Sequence, residues 1–230
     1  MVSLIIRTRN EAATLRQTLD AIFGQTCQPS EVIVVDSGSI DSTLDIVSDY
    51  DVKLISISPE RFTYGHALNV AAQEAQGEYL ISLSAHALPA NPFWLERLLD
   101  PLADPAVAGA SSHQVPYPGQ HLEPYLVFWQ ALHQWHLQTP IVQRYLFSNA
   151  CSCIRVCLWR ATPFDETVAS CEDHLWAMKM QSQGYRIIYA VHSTVFHSHR
   201  LPRLVAAQRH WRELWALIDL YFKYSRRRGG

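Results

Sequence analysis

Apolar positions along this chain come in two kinds of run. Short strand-length stretches at 2–6, 32–35, 52–57 and 78–83 alternate with longer segments whose apolar residues recur every three or four positions. Val32-Ile33-Val34-Val35 is apolar without a break, as a strand buried on both faces must be. Between the first two runs, Leu15, Leu19, Ile22 and Phe23 fall on one helical face. A helix is expected from about Asp41 to Ser48, and another from Val70 to Ala75, ended by Gly77. The series reads βαβαβ, which predicts parallel strands joined by right-handed crossovers.

Beyond it the pattern predicts a helix at Phe93 to Leu99 and a strand opening at Ala106 to Ala110. From Gln120 to Phe147 the chain turns aromatic, and Leu122, Leu126, Trp129 and His133 are spaced for a helix over a cleft, its rings either a packed face or a substrate platform. Strand character returns from Phe147 to Val156, and a helix opens at Cys171-Glu172-Asp173 and closes at Gly184. Two short strands follow at 185–190 and 194–196. An amphipathic helix from Pro202 to Tyr224 runs into Arg226-Arg227-Arg228, suited to docking on the domain, on another chain or on an anionic membrane.

Composition narrows the classes. With 230 residues, 48% of them hydrophobic, the chain can bury a real core. A formal charge of −2 from 19 basic and 21 acidic residues argues against general nucleic-acid affinity. The opening apolar run is too short for a signal peptide and no run approaches the roughly 18 apolar residues of a membrane span, so a soluble, cytoplasmic chain is expected. Five cysteines, an odd number, fit buried thiols better than a disulfide framework or a zinc knot.

Candidate chemistry gathers where strands end. Asp36 closes the Val32 strand and is followed by Ser37-Gly38-Ser39-Ile40-Asp41-Ser42-Thr43. In open α/β sheets ligands bind outside the carboxyl ends of the strands, so Asp36 is placed to accept from ribose hydroxyls or a base N–H. Gly38 supplies a tight turn and Asp41 a helix cap; the same spacing suits an Asx-turn and N-cap with no ligand at all. Asn10 is a candidate cap for the first helix. No Gly-x-Gly-x-x-Gly follows the first strand and no Gly-x-x-x-x-Gly-Lys occurs, which disfavours a dinucleotide fold and a P-loop. A second polar turn, Ser84-Ala85-His86, ends the fourth strand.

Together, Arg9-Asn10-Glu11 after the first strand, Asp36 to Thr43, Gly65 to Asn69, Ser84 to His86 and Glu172-Asp173 resemble family 2 of the GT-A glycosyltransferases, closest to bacterial rhamnosyltransferase-like members that build polysaccharides. The likeness spans about residues 2–200. It implies an α/β GT-A fold, a mostly parallel central sheet with helices on both faces. Residues 1–200 would form one domain, 1–110 binding nucleotide sugar and 111–200 the acceptor, with 201–230 as terminal helix and basic tail. It further implies inverting transfer of a sugar from a nucleoside-diphosphate sugar to a hydroxyl of a saccharide or lipid-linked acceptor, at the inner face of the membrane. A non-catalytic module binding nucleotide sugar or protein is the alternative. By the resemblance Thr8, Asn10, Glu11, Asp36 and Gly38 would face base and ribose. Gly65, His66, Asn69 and Ser84 would lie near sugar and diphosphate, and Glu172 or Asp173 would deprotonate the acceptor. The family pattern ends the fourth strand in Asp-x-Asp, which holds Mg²⁺ or Mn²⁺. Here Ser84-Ala85-His86 replaces it, leaving His86 and His199 as candidate ligands and metal dependence open. Leu68 stands where many members carry arginine.

Overall fold

The computed structural model describes residues 1–198, apart from Glu123, His136 and the side chain of Tyr125. The terminal helix expected at 202–224, the arginine cluster and His199 lie outside the described residues. Eight strands form one sheet in the order β3-β2-β1-β4-β7-β6-β8-β5. They are β1 (Val2–Thr8), β2 (Glu31–Asp36), β3 (Lys53–Ser56), β4 (Tyr79–Ser84), β5 (Leu88–Pro89), β6 (Val107–Val115), β7 (Cys151–Arg155) and β8 (Arg186–Phe196). The first four pair in parallel; β7 then runs antiparallel to both β4 and β6, and β8 runs parallel to β6. The carboxyl ends of β1, β2, β4, β6 and β8 therefore share one edge of the sheet with the start of β7.

The helices are α1 (Leu15–Phe23), α2 (Thr43–Ser48), α3 (Tyr64–Glu74), α4 (Trp94–Leu99), α5 (Pro124–Gln134), α6 (Pro140–Leu146), α7 (Val156–Ala161) and α8 (Glu172–Ser182). Alternation along each central strand divides the core in two. Leu4, Ile6, Val32 and Val34 pack with Leu15, Leu19, Ile22 and Trp94 on one face. Ile5, Ile33 and Val35 pack with Ala67, Leu68, Trp159 and Trp176 on the other. Each aliphatic side chain so buried contributes roughly 1.5–3 kcal/mol, so helices cover both faces because both faces of β1 and β2 are apolar. Cys151 and Cys153 are core residues of β7, and burial pushes the Cys151 thiol up to about 12.

Several boundaries differ from the sequence reading. Helix α3 starts at Tyr64, not Val70, because the Thr63 hydroxyl caps it by accepting from His66 N–H at 3.0 Å. Gly65 stands in its first turn, where a Cβ would lie 2.6 Å from the Asp165 carbonyl oxygen. Gly77 does not end that helix; Ala75 does, and Gly77 lets the chain pass Ser3, 2.7 Å from where a Cβ would sit. Asn10 caps no helix, since Thr14 precedes α1, and Ser42 rather than Asp41 precedes α2. The aromatic stretch breaks into α5 and α6, with Thr139 capping and Pro140 at the first helical position. The strand expected to reach Val156 ends at Arg155, where the short helix α7 takes over. The two expected final strands are one, β8, whose register against β6 slips between Ser112 and His113 as the partner jumps from Ala190 to Thr194.

Candidate active site at the strand ends

Two loops at the carboxyl ends of β1 and β2 are sewn together. Asp36, buried, accepts from the backbone N–H groups of Gly38 (2.9 Å) and Ser39 (3.0 Å) and from the Ser39 hydroxyl. The Ser39 oxygen in turn accepts from Asn10 N–H at 2.9 Å, and Asn10 Oδ1 accepts from Ile40 N–H at 2.8 Å. Asn10 holds φ 56° and Gly38 φ 86°, two left-handed residues that turn the loops toward each other. Asp41 accepts from Thr43 through backbone N–H (3.0 Å) and hydroxyl (2.5 Å), and from Ala12 N–H at 3.2 Å. The Thr43 hydroxyl foremost holds the Asp41 carboxyl below its usual range. Glu11 N–H donates to Thr43 Oγ1 at 2.8 Å. Asp36 thus does the turn chemistry of an Asx motif, and the same bonds fix a cradle whose floor includes the buried Thr8 hydroxyl, which has no hydrogen-bond partner.

Beside the cradle, at the end of β4, His86 Nδ1 lies 2.9 Å from Glu11 Oε1, and the Ser84 hydroxyl is 3.3 Å from the far ring nitrogen. The His197 ring stacks on His86 with centroids 5.0 Å apart. A cleft of about 560 Å³ opens there, bordered by Glu11, Gln17, His86, Tyr117, Gln120 and Ser198.

Gly65, His66 and Asn69 share the first turns of α3, facing the 164–166 loop. His66 Nδ1 meets Glu166 Oε2 at 2.9 Å. Asn69, buried, donates to the Phe164 carbonyl and to Glu166 Oε1, both at 2.9 Å, and accepts from Trp159 Nε1 (2.9 Å) and Phe164 N–H (3.1 Å). With both donors and both lone pairs used, Asn69 clamps α3 to that loop. The Asn69 amide chiefly, helped by His66, holds the Glu166 carboxyl below its usual range.

The acidic pair sits on the face of the sheet that carries α3. Cys171 takes a left-handed turn, φ 67°, and α8 begins immediately with Glu172 and Asp173. Glu172 is buried, and its Oε1 accepts from Asn149 Nδ2 at 3.2 Å and lies 3.9 Å from Arg7 Nη1. Asp173, partly exposed, accepts from the backbone N–H groups of Asn149 (3.0 Å) and His174 (2.8 Å). The Asn149 carbonyl accepts from Arg7 Nη2 (3.1 Å) and the Ser82 hydroxyl (2.6 Å), and its Oδ1 accepts from Ser152 (2.8 Å). Arg7 lies over the Tyr64 ring, 5.0 Å from its centroid, with Nε and Nη1 lacking hydrogen-bond partners. Burial, and secondarily the charge of Asp173, pushes Glu172 up to about 7 against the opposing pull of Arg7. Burial also raises Asp173.

Of the residues singled out from sequence, Thr8, Asn10, Glu11, Asp36 and Gly38 come together in the cradle, with Ser84 and His86 beside it. Gly65, His66 and Asn69 form a separate knot, and Glu172 with Asp173 a third group. Arg7, Asn149 and Glu166 were not singled out. Arg7 directly precedes Thr8 and could have been found by asking what a cation does near the end of a buried strand; Asn149 and Glu166 carry no local signal.

The eight-stranded sheet and its flanking helices are the fold of a GT-A glycosyltransferase. The sequence pattern of Glycosyl transferase family 2 matches residues 3–168, and the chain belongs to that family. It is 30% identical over 223 residues to the O-antigen chain rhamnosyltransferase WbaN of Salmonella anatum, a match covering 91% of this chain and 70% of that one. It is 27% identical over 222 residues to the O-antigen chain rhamnosyltransferase RfbN of Salmonella typhimurium, with the same coverage. Among solved structures, the mannosyltransferase PcManGT of Pyrobaculum calidifontis, in complex with GDP-Man and Mn²⁺, superimposes with a TM-score of 0.76 at 26% identity. That superposition covers 98% of this chain but spans 64% of the length of the archaeal chain.

Proposed function

We propose that this glycosyltransferase moves a sugar from a nucleoside-diphosphate sugar to a hydroxyl of a saccharide or lipid-linked acceptor, with inversion, in cell-surface polysaccharide synthesis at the cytoplasmic face of the membrane. One observation carries the reading: a carboxylate pair of raised proton affinity, tied through Asn149 and Arg7 to the same strand end as the Thr8–Asp36 cradle. Residues 1–110 hold the donor and 111–200 the acceptor, with 201–230 an accessory segment. The similarity to two O-antigen rhamnosyltransferases supports a deoxyhexose donor.

Asp173 is the base. It is the more open of the two carboxylates, while Glu172 is buried against Asn149 and Arg7. Asp173 takes the acceptor hydroxyl's proton as that oxygen bonds to the anomeric carbon, and the bond from that carbon to the diphosphate oxygen breaks on the opposite face. Glu172 and Asn149 position it. Thr8 lies at the floor of the cradle that takes the nucleoside, and Asp36 keeps the cradle in shape.

Donors at the end of β4 fit a divalent cation in part. An imidazole and a carboxylate, His86 and Glu11, already meet at 2.9 Å, and Mn²⁺ accepts both ligand types. When bound there, the cation would neutralise charge on the diphosphate.

Thermal shift with UDP-, dTDP- and GDP-sugars, with and without Mn²⁺, tests the donor. A ligand at 100 times its dissociation constant adds about 2.7 kcal/mol of stability. No shift with any nucleotide sugar refutes the donor assignment.

A further inference from the structure

At the end of β1 neighbouring side chains part to opposite faces of the sheet. Ile5 and Arg7 share the face that carries α3, and Thr8 falls on the other. The Arg7 side chain is only 13% exposed, yet none of its hydrogen bonds goes to a carboxylate. Nη2 donates to the Asn149 carbonyl at 3.1 Å, the guanidinium lies over the Tyr64 ring, and Nε and Nη1 have no hydrogen-bond partner. Burying a cation on these terms is costly, and a neutral donor would serve the carbonyl as well; the Ser82 hydroxyl already does, at 2.6 Å. What only a cation adds is its charge, and Glu172 Oε1 stands 3.9 Å from Nη1.

That charge acts on the acidic pair. Among the described residues no other lysine or arginine forms an ion pair with Glu172 or Asp173. Around the pair, α8 itself brings His174, and α6 brings Tyr145, edge-on to that imidazole at 5.7 Å with Arg144 over its ring at 5.3 Å. Helix α3 brings Tyr64, while its His66 is taken by Glu166. Strand β8, packed on α8, turns Arg186 to Asp104 and the Tyr189 hydroxyl to His113. Two adjacent carboxyls withdrawn from water disfavour a double negative charge, and one cation beside them favours a single one. Burial raises both groups and Arg7 opposes it on both. Asn149 joins the three: its carbonyl takes Arg7, its side chain donates to Glu172 and its backbone N–H to Asp173.

We propose that Arg7 is a positioning residue for sugar transfer, its buried charge holding the Glu172–Asp173 pair at a single negative charge with Asp173 the ionised member. The inference rests on the assignment of the base above. When Asp173 takes the acceptor hydroxyl's proton, both carboxyls are neutral and Arg7 is left without a counter-charge. That drives the proton on to water from the more open Asp173 and resets the pair. The full chain is tested as Arg7→Met and Arg7→Lys, with kcat and donor KM followed from about pH 5 to 9.5. In Arg7→Met the acid limb of kcat moves up by about one pH unit, turnover at neutral pH falls roughly tenfold, and most of it returns at the alkaline end with donor KM unchanged. Arg7→Lys brings the limb back toward the wild type. Should Arg7→Met not fold, Arg7→Gln, which keeps a donor for the Asn149 carbonyl, takes its place. Titration of isotope-labelled carboxyl groups by NMR, which needs no turnover, moves upward in the same variant. The proposal is overturned by an acid limb that stays put in Arg7→Met, by a loss of turnover that persists at the alkaline end, by Arg7→Lys as displaced as Arg7→Met, or by a raised donor KM with kcat and its pH profile intact. A carboxyl titration that moves as expected in a chain that transfers no sugar to any acceptor refutes the functional reading instead and leaves the hold of Arg7 on the pair standing.

Discussion

The cradle at Thr8–Thr43 and the acidic pair at Glu172–Asp173 hang from neighbouring residues of one strand, yet spend their polar groups differently. In the cradle nearly every donor and acceptor is used on another loop residue. Asp36 takes three hydrogen bonds, Asp41 three, and Asn10 bridges two loops. Such a network fixes shape. At the acidic pair the groups are held short of satisfaction: a buried carboxyl pushed up to about 7, a second beside it, and a guanidinium with two nitrogens lacking hydrogen bonds. Unsatisfied, desolvated groups cost stability and hold reactivity. Under the proposed function the first region recognises the donor and the second moves a proton.

The largest expected effect separates them directly. Asp173→Asn keeps an acceptor for the Asn149 N–H, gives up the one for the His174 N–H and removes the proton-accepting carboxylate, so kcat falls about 10²–10⁴-fold with little change in KM for the donor and a stability loss of only about 1 kcal/mol. A variant retaining a tenth of wild-type turnover would move the base elsewhere and erase the contrast.

Next in size is Gly65→Ala, aimed at the knot between the two regions. Its Cβ would lie 2.6 Å from the Asp165 carbonyl oxygen, so α3 and the 164–166 loop must part. Overpacking of this kind costs about 1–3 kcal/mol, read as a lower denaturation midpoint. Because the Asn69 and His66 contacts to Glu166 cross the same seam, transfer activity drops with stability here, unlike Asp173→Asn.

How far the sequence reached follows the same divide. The cradle was legible because its partners sit in two short segments that each follow a buried apolar run, and because Gly38 and the hydroxyl-rich turn advertise a sharp, hydrogen-bonded loop. The parallel half of the sheet was legible for the reason that makes it stable: Ile5, Ile33 and Val35 face one layer while Leu4, Val32 and Val34 face the other. The surroundings of the acidic pair were not. Asn149 touches Glu172 and Asp173 across 23 and 24 residues and Arg7 across 142, contacts that no local pattern encodes. The start of α3 was missed because the Thr63 cap was not recognised, and Gly65 stands in its first turn because the 164–166 loop needs the space a side chain would fill. The aromatic stretch was legible as a packed face, since Leu122, Leu126 and Trp129 do turn inward onto Val142 and Leu146, but not as two helices, because the break at Thr139-Pro140 interrupts one continuous apolar run.

A subtler effect concerns the charge of the pair. The folded value of Glu172, about 7, lies above its ordinary 4.5, so the folded state holds more protons than the unfolded chain between those limits. Stability from this group is fully present below about 4.5 and is lost as pH rises through about 7. Glu172→Gln cannot ionise, so the decline of melting temperature across that window flattens. Losing the counter-charge to Arg7 shifts the level of the curve as well; the slope is the readout. An unchanged slope would mean that Glu172 is not the group taking up the proton.

The smallest effect lies in the cradle. Thr43→Val preserves shape but leaves Glu11 N–H without its acceptor, a loss of about 1 kcal/mol. It also removes the foremost cause of the lowered Asp41 carboxyl. A lowered carboxyl stabilises the fold above its unfolded value of 3.8 and loses that contribution as pH falls through its folded value, so the variant's stability depends less on pH at the acid end. Since Thr43 holds Glu11 and Asp41 but touches neither Asp173 nor Asn149, the change appears as a few-fold weaker donor KM with kcat intact. A fall in kcat instead would mean that the cradle and the proton-accepting pair are one mechanical unit, and the distinction between recognition and reaction would have to be abandoned.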